Sequence, residues 1–159
     1  MNPQDNKRNN YRRDEKPQSE FTDKVVQIKR VSKKTKGGNQ IHFTALVVSG
    51  DKKSRVGVGL GKAKSVAEAI QKGASKAQKA MINITIVDGT IPSAIQLKFK
   101  SSLILLRPGK AGAGLIAGGP VRSVVELAGI KDVVSKIIGT KTKSVNVWAC
   151  FKALSILSK

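Results

Sequence analysis

Two glycine-spaced runs are the places where this sequence comes nearest to cofactor chemistry. Gly57-x-Gly59-x-Gly61-Lys62 has the look of a phosphate-cradling loop, in which backbone N–H groups freed of side chains surround an anion. A nucleotide loop of that kind needs a glycine where Val56 stands, and a Ser or Thr to hold magnesium where Ala63 stands. The competing reading is a strand thinned by glycine so that a helix or an RNA backbone can come close. Gly112-x-Gly114-x-x-Ala117 follows a predicted strand and imitates a dinucleotide fingerprint. The predicted helix starts only after Pro120, however, and Asp132 follows a helix stop instead of ending a strand. The remaining inventory is thin. His42 is the single histidine, in an alternating segment where a surface or RNA-facing role is expected. Cys150 has no histidine near it in sequence and reads as a small core residue, and Trp148 as a packing anchor. The acids are scattered singly, so no carboxylate pair or metal cluster emerges. The expectation is a protein that is not an enzyme, with no cofactor and no metal.

Charge is the stronger signal. Thirty Lys and Arg stand against ten Asp and Glu, a net charge of +20 on 159 residues. That self-repulsion is relieved by a polyanion: RNA, DNA or a membrane surface. No apolar run, Leu103 to Leu106 included, approaches the length of a bilayer span, and the N-terminus is polar from Asn2 onward. Asp5, Asp14, Glu15 and Glu20 argue against a transit peptide, and one cysteine suits a reducing cytoplasm. The basic groups concentrate between Lys24 and Lys64, where eleven Lys and Arg accompany one acid, Asp51. Such clustering on one small domain is an electrostatic footprint for phosphate, although basic runs are also common on solvated faces. Phe43 is the one aromatic in that segment, so stacking platforms for single strands are missing. Recognition of folded RNA by shape and backbone fits better.

The elements that must carry these residues follow from periodicity. Residues 1–20 are Asn-, Gln-, Arg- and Lys-rich and read as a disordered basic tail, either an arm that orders on RNA or a merely solvating one. Val25 to Val31, interleaved with Lys24, Lys29 and Arg30, predicts a strand with a basic face. Ile41 to Val47 and Arg55 to Gly61 predict two more, joined by turns at Lys36–Asn39 and Ser49–Lys52. Ser65 and Glu68 form a capping box for a helix whose small residues, Ala69, Gly73 and Ala77 among them, allow close approach to the sheet. A boundary falls between Asn83 and Gly89, and Ile84 to Val87 is expected to start a second sheet. Ile95 to Phe99, Leu103 to Leu106 and Val133 to Ile138 are further strands, with a glycine-rich loop from Pro108 to Gly119. Helices are expected from Pro120 to the stop at Gly129 and from Val145 to Leu157, the latter with Val145, Trp148, Ala149, Ala153 and Ile156 on one face.

At this point the residues resemble one family. Arg30 to Gly38, Phe43 to Val48, Gly50-Asp51, Arg55 to Gly59, Gly61 to Ala63, Ala69 to Lys72 and Met81 to Asn83 are similar, in order, to the first half of the small-subunit ribosomal protein S-five family, bacterial type. Arg107-Pro108, Gly112 to Gly119, Arg122 and Val125 to Ile130 resemble its second half. The resemblance covers about residues 21–157 and departs at Thr140 to Asn146, where the family has a Ser-x-Asn-Pro-x-Asn turn.

It implies an α+β chain of two small two-layer α/β sandwich domains. Residues 21–83 would be a three-stranded antiparallel sheet with one helix, similar to double-stranded-RNA-binding domains. Residues 84–159 would be a small sheet packed on two helices, with an unusual left-handed crossover. The implied function is that of a structural constituent of the small ribosomal subunit in the cytoplasm, present as a single copy. It would bind small-subunit ribosomal RNA, help shape the messenger entry path and support decoding accuracy. The neighbours implied are proteins S-four and S-eight, with messenger RNA nearby and no membrane. The Arg30 to Gly38 hairpin would reach RNA near the head of the subunit, beside the spectinomycin site. Expected RNA-binding residues are Lys24, Lys29, Arg30, Ser32, Lys33, Lys34, Lys36, Gly37, Gly38, Lys52, Lys53, Arg55, Lys62 and Lys64. Gly114 and Arg122 match positions at the family's S-four boundary.

Overall fold

A computed structural model describes residues 20–158. The tail reading for residues 1–20 therefore lies outside the described residues apart from Glu20. Three long strands, β1 (Thr22–Thr35), β2 (Gly38–Gly50) and β3 (Arg55–Ala63), form the expected antiparallel meander. A two-residue strand, β4 (Ile82–Asn83), adds itself to β3 after the helix α1 (Val66–Lys79). The second sheet has the order β5-β6-β8-β7, from β5 (Ile95–Phe99), β6 (Ser102–Pro108), β7 (Leu115–Ile116) and β8 (Val133–Gly139). Its β7–β8 pair is parallel and is bridged by α2 (Gly119–Ala128), and α3 (Lys143–Leu157) ends the described chain.

The glycines of β3 explain how α1 seats. Gly57, Gly59 and Gly61 recur every second residue and so share one face of the strand. A Cβ at Gly57 would land on the Ala77 carbonyl, one at Gly59 on the Gly73 carbonyl, and one at Gly61 on the Ala69 carbonyl. Ala69, Gly73 and Ala77 recur every fourth residue of α1 and are its buried positions. Two strand residues rise about 6.6 Å and four helical residues about 6 Å, so the two small-residue rows stay in step over three contacts. The helix starts cleanly because the Ser65 hydroxyl accepts the Glu68 amide at 3.3 Å.

The opposite face of the same sheet is also covered. Leu46, Val48, Val56 and Val58 alternate with the α1-facing residues and join Ile104, Leu106, Val124, Leu127, Val147, Cys150 and Leu154 in one continuous core. The molecule is thus four layers: α1, the first sheet, the α2–α3 pair, and the second sheet. This layering accounts for α3. A helix between two apolar layers is buried around much of its circumference, and Asn146, Val147, Ala149, Cys150, Ala153 and Leu154 are all buried. The single apolar face expected for this helix is therefore too narrow, and Ile156, placed on it, is half exposed near the helix end.

Two other local expectations change. Ile84 to Val87 does not start the second sheet. The free edge of β3 at Arg55–Val56 captures the preceding residues as β4, and the Ile84 amide donates to the Ser54 carbonyl at 2.8 Å. The chain then turns at Asp88-Gly89, both with positive φ, between the mutually bonded Val87 and Thr90. The glycine-rich loop from Pro108 to Gly119 is interrupted by β7. Pro120 lies in the first turn of α2 and Gly129 ends it in the left-handed conformation, as the sequence predicts.

Because a side chain at Gly59 would meet backbone rather than a movable side chain, Gly59→Val should destabilise the fold by about 3 kcal/mol or more. Urea denaturation of the two proteins measures this. A cost below about 1 kcal/mol would show that the helix can lift from the strand, against the packing described here.

Candidate nucleic-acid interface

β3 ends at Ala63 opposite Phe43, whereas β1 and β2 continue for five more residue pairs, from Val31–His42 to Thr35–Gly38. At about 3.3 Å per residue this makes a two-stranded arm roughly 17 Å long. The turn at its tip is closed by the Thr35 hydroxyl donating to the Gly38 carbonyl at 2.7 Å, with Gly38 at φ +114°. Residues opposite each other in the register share a face. Lys29, Val31 and Lys33 therefore lie with Thr44, His42 and Gln40 on one face, and Arg30, Ser32 and Lys34 lie with Phe43, Ile41 and Asn39 on the other. Every residue from Lys29 to Ile41 is exposed. The arm is basic on both faces, and Lys36 and Gly37 form its tip.

Lys62 and Lys64 extend this group at the end of β3. With His42, Glu68 and Lys72 they line a surface concavity of about 420 Å³ between the sheet end and the start of α1. His42 thus faces a basic groove, as its sequence context suggests, and Lys72 is a member that sequence reasoning missed. The i, i+4 step from Glu68 to Lys72 was the available signal.

The remaining basic candidates lie elsewhere. Lys52 and Lys53 occupy the β2–β3 turn, at the opposite end of the sheet from the arm tip. Asp51 builds that turn: its Oδ1 accepts the amides of Lys53, Ser54 and Arg55 at 2.9–3.0 Å, and its Oδ2 accepts Arg55 Nε at 2.9 Å. Burial pushes the Asp51 carboxyl up, but these amide and guanidinium donors outweigh it and hold the group far below the usual carboxylate range. The Arg55 guanidinium is engaged twice, by Asp51 and by the Phe21 ring 5.1 Å away. The Lys52 amide donates to the Leu127 carbonyl, which fastens the turn to the end of α2. Lys24 is likewise engaged, its ammonium 2.7 Å from Glu126 of α2.

Gly114 and Arg122 come together around β7. The Gly114 amide, at φ +71°, donates to Asp132 Oδ1 at 2.6 Å, and Arg122 Nη2 donates to the Leu115 carbonyl at 2.9 Å. Leu115 to Gly118, Arg122 and Ser135 to Ile137 line a concavity of about 480 Å³. Asp132, whose position resembles that of a ribose-binding acid, is instead the buried clamp of the glycine loop. Gly57, Gly59 and Gly61 are occupied by α1, which leaves no room there for a phosphate and corrects the idea that RNA approaches the backbone at these residues. Gly37 and Gly38 have open space around them. Cys150 is fully buried, and desolvation pushes its thiol up to about 12, which leaves it inert at neutral pH. Trp148 packs edge-on against Phe151 at 5.8 Å. No cluster of His, Cys, Asp and Glu that could hold a metal occurs among the described residues, and no described helix is long and apolar enough to cross a membrane.

Residues 21–85 match the family described as "Ribosomal protein S5, N-terminal domain", and residues 97–159 match "Ribosomal protein S5, C-terminal domain". The chain belongs to the ribosomal protein S5 family. Curated relatives agree. The "Small ribosomal subunit protein uS5" of Treponema pallidum subsp. pallidum is 48% identical over 138 residues, covering 87% of this chain and 80% of the relative. That of Rubrobacter xylanophilus is 53% identical over 124 residues, 78% of this chain and 62% of the relative. That of Treponema denticola is 43% identical over 153 residues, 96% of this chain and 86% of the relative. The S5 family is a family of structural, non-enzymatic ribosomal proteins. The α+β organisation expected from the sequence is the organisation of its two matched domains.

Within this S5 chain the stretch from Thr140 to Asn146, which departs from the family turn, is built on hydroxyls. Thr140 Oγ1 donates to Thr142 Oγ1 at 3.0 Å and accepts the Thr142 amide. Asn146, 2% exposed, accepts the Ser102 hydroxyl at 2.7 Å and donates to the Thr140 carbonyl. It ties β6, the end of β8 and α3 together without a proline.

The Asp51 turn sets an acid sensitivity. A carboxyl depressed in the folded state contributes stability above its unfolded value near pH 4, and that contribution is lost as pH falls toward the folded value. Asp51→Asn should therefore lower stability at pH 7 and flatten its decline below about pH 4, as read by thermal melts across pH. Parallel wild-type and variant profiles would remove Asp51 from this role.

Proposed function

We propose that this protein serves the small ribosomal subunit as a non-catalytic clamp on ribosomal RNA. In this reading the β1–β2 arm enters between RNA segments, and Lys29, Arg30, Ser32, Lys33, Lys34, Lys36, Gly37 and Gly38 meet their backbones. The observation that carries it is the arm itself: five residue pairs beyond the sheet, exposed at every residue but His42 and cationic on both faces. Lysines and arginines on such an arm displace counterions from two phosphate surfaces at once. Lys62 and Lys64 extend the contact at the arm's base, and Lys52 and Lys53 would touch RNA at the far end of the sheet. Lys24 and Arg55, held by Glu126 and Asp51, contribute charge from fixed positions.

The division of labour proposed assigns RNA binding to residues 21–83 and a protein-facing role to residues 84–159. The concavity around Gly114 and Arg122 would meet S-four, with S-eight as the other protein neighbour. Its location would be beside the messenger entry path, where rigid placement of the arm supports decoding accuracy. The rigidity is supported by the fastening of the β2–β3 turn and of Lys24 to α2.

Sucrose-gradient fractionation of tagged protein from its own cells, before and after a high-salt wash, tests the assembly. Sedimentation with the small subunit that survives the wash is expected, and recovery at the top of the gradient would refute the proposal. Reversing the charge of the arm, Lys33→Glu with Lys34→Glu, should weaken binding to small-subunit RNA roughly tenfold or more and reduce the slope of log K against log salt by about two. An unchanged affinity and slope would move the RNA contact away from the arm.

A further inference from the structure

A small pocket opens at the root of the arm, lined by Gln27, Lys29, Thr44, Leu46, Leu60 and Ser144, with a volume of about 180 Å³. Five of these residues form two neighbouring rows on one face of the first sheet. Gln27 pairs with Leu46, Lys29 with Thr44, and Leu46 with Leu60. Ser144, in the first turn of α3, supplies the facing wall. The floor is aliphatic, and Leu60 is 44% exposed, although Val56 to Gly59 before it in β3 are buried.

We propose that this pocket takes one unstacked base of the small-subunit RNA. The base would lie on Leu60, with the buried Leu46 closing the floor behind it, Gln27 and Thr44 at its hydrogen-bonding edge and its phosphate beside Lys29. The inference rests on the RNA-binding reading above and adds to it a single point of base readout on a surface otherwise suited to backbone and shape. Three features choose this occupant. The lining holds a cation, an amide and two hydroxyls but no carboxylate, so its charge suits a polyanion and its neutral polar groups suit a base edge. The pocket is continuous with the arm face that carries Lys29 and Lys33. It is also smaller than the roughly 300 Å³ and more of drug-sized ligand sites, which limits it to one ring system.

The start of α3 strengthens the electrostatics. Its first turn has no acid and carries Lys143, and Thr142 makes no side-chain cap bond. A helix N-terminus favours negative charge, so a lysine there is opposed by the helix dipole unless an anion sits beside it. A phosphate at the pocket rim supplies that anion.

The test uses subunits reconstituted with full-length small-subunit RNA. Base-specific chemical probing and hydroxyl-radical cleavage are read for wild type, Leu60→Gln and Thr44→Val. The expected result is at least one unpaired base shielded by wild type and exposed by Leu60→Gln, while the arm's backbone protections stay in place. Identical base protections in all three proteins would overturn the pocket and leave the arm reading intact. Loss of backbone protections in wild type itself would overturn both. As an independent measurement, a benzophenone side chain introduced at position 60 is irradiated in the assembled subunit. Cross-linking to a nucleotide supports the proposal, and cross-linking to protein alone refutes it.

Discussion

The close seat of α1 on the glycine face of β3 is the constraint on which the other parts of this molecule depend. With no side chains between strand and helix, backbone lies against backbone, and the glycines' missing side chains become shape complementarity. Nothing larger than a hydrogen is tolerated at Gly57, Gly59 or Gly61 where the helix carbonyls lie. The separation this sets also fixes the environment of β2, whose Ala45 and Val47 fill the same interface. A glycine-rich strand is conformationally costly in isolation. Dense contact with α1 on one face and Val56 and Val58 in the main core on the other offset that cost.

Once α1 covers one face, the other is free to become a wall of the larger core. That wall is shared with α2, α3 and, through them, the second sheet. The two matched family domains thus meet through a continuous apolar interior and not through a flexible link. The polar fastenings fall at the edge of this contact: Lys24 to Glu126, the Lys52 amide to Leu127, and the Asp51 turn beneath them. The result is a cantilever. β1 and β2 are fixed along their inner halves, and the basic arm projects from that fixed base. Shape-based recognition of folded RNA needs cations at set positions rather than on mobile side loops, and the arm's paired backbone provides them.

Much of this was legible in the sequence because period-2 and period-3.6 patterns dominate it. The meander, the capped helix, the Pro120–Gly129 helix and the strands at 95–99 and 133–138 all follow from local pattern and turn chemistry. The misreadings share one cause, which is tertiary competition that local pattern does not contain. Ile84 to Val87 looks like a strand, but the unfilled edge of β3 takes the residues just before it. The pattern of α3 predicts one buried face, yet two layers enclose the helix. The glycine run is ambiguous between anion and helix until α1 is placed. Asp132 can be excluded as a nucleotide ligand from its position, yet its real task, clamping Gly114, depends on a loop and a strand start 18 residues apart. The arm's charge is plain in the sequence, but its division between two faces requires the register.

The division of charge completes the physical account. Among the described residues the two ion pairs both fasten structure: Asp51 shapes the turn at α2, and Glu126 holds Lys24 at the exposed edge of the core. Asp51 and Glu126 serve the fold. A dense donor set keeps Asp51 ionised despite its burial, and the Lys24 ammonium, aided by the charges of Lys52 and Arg122, favours the ionised form of Glu126. The cations of the arm have no such internal partners among the described ion pairs, and with a net charge of +20 on the chain they cannot be matched from within. Their neutralisation comes from outside the chain, and an arm roughly 17 Å long with cations on both faces matches the proposed insertion between phosphate surfaces.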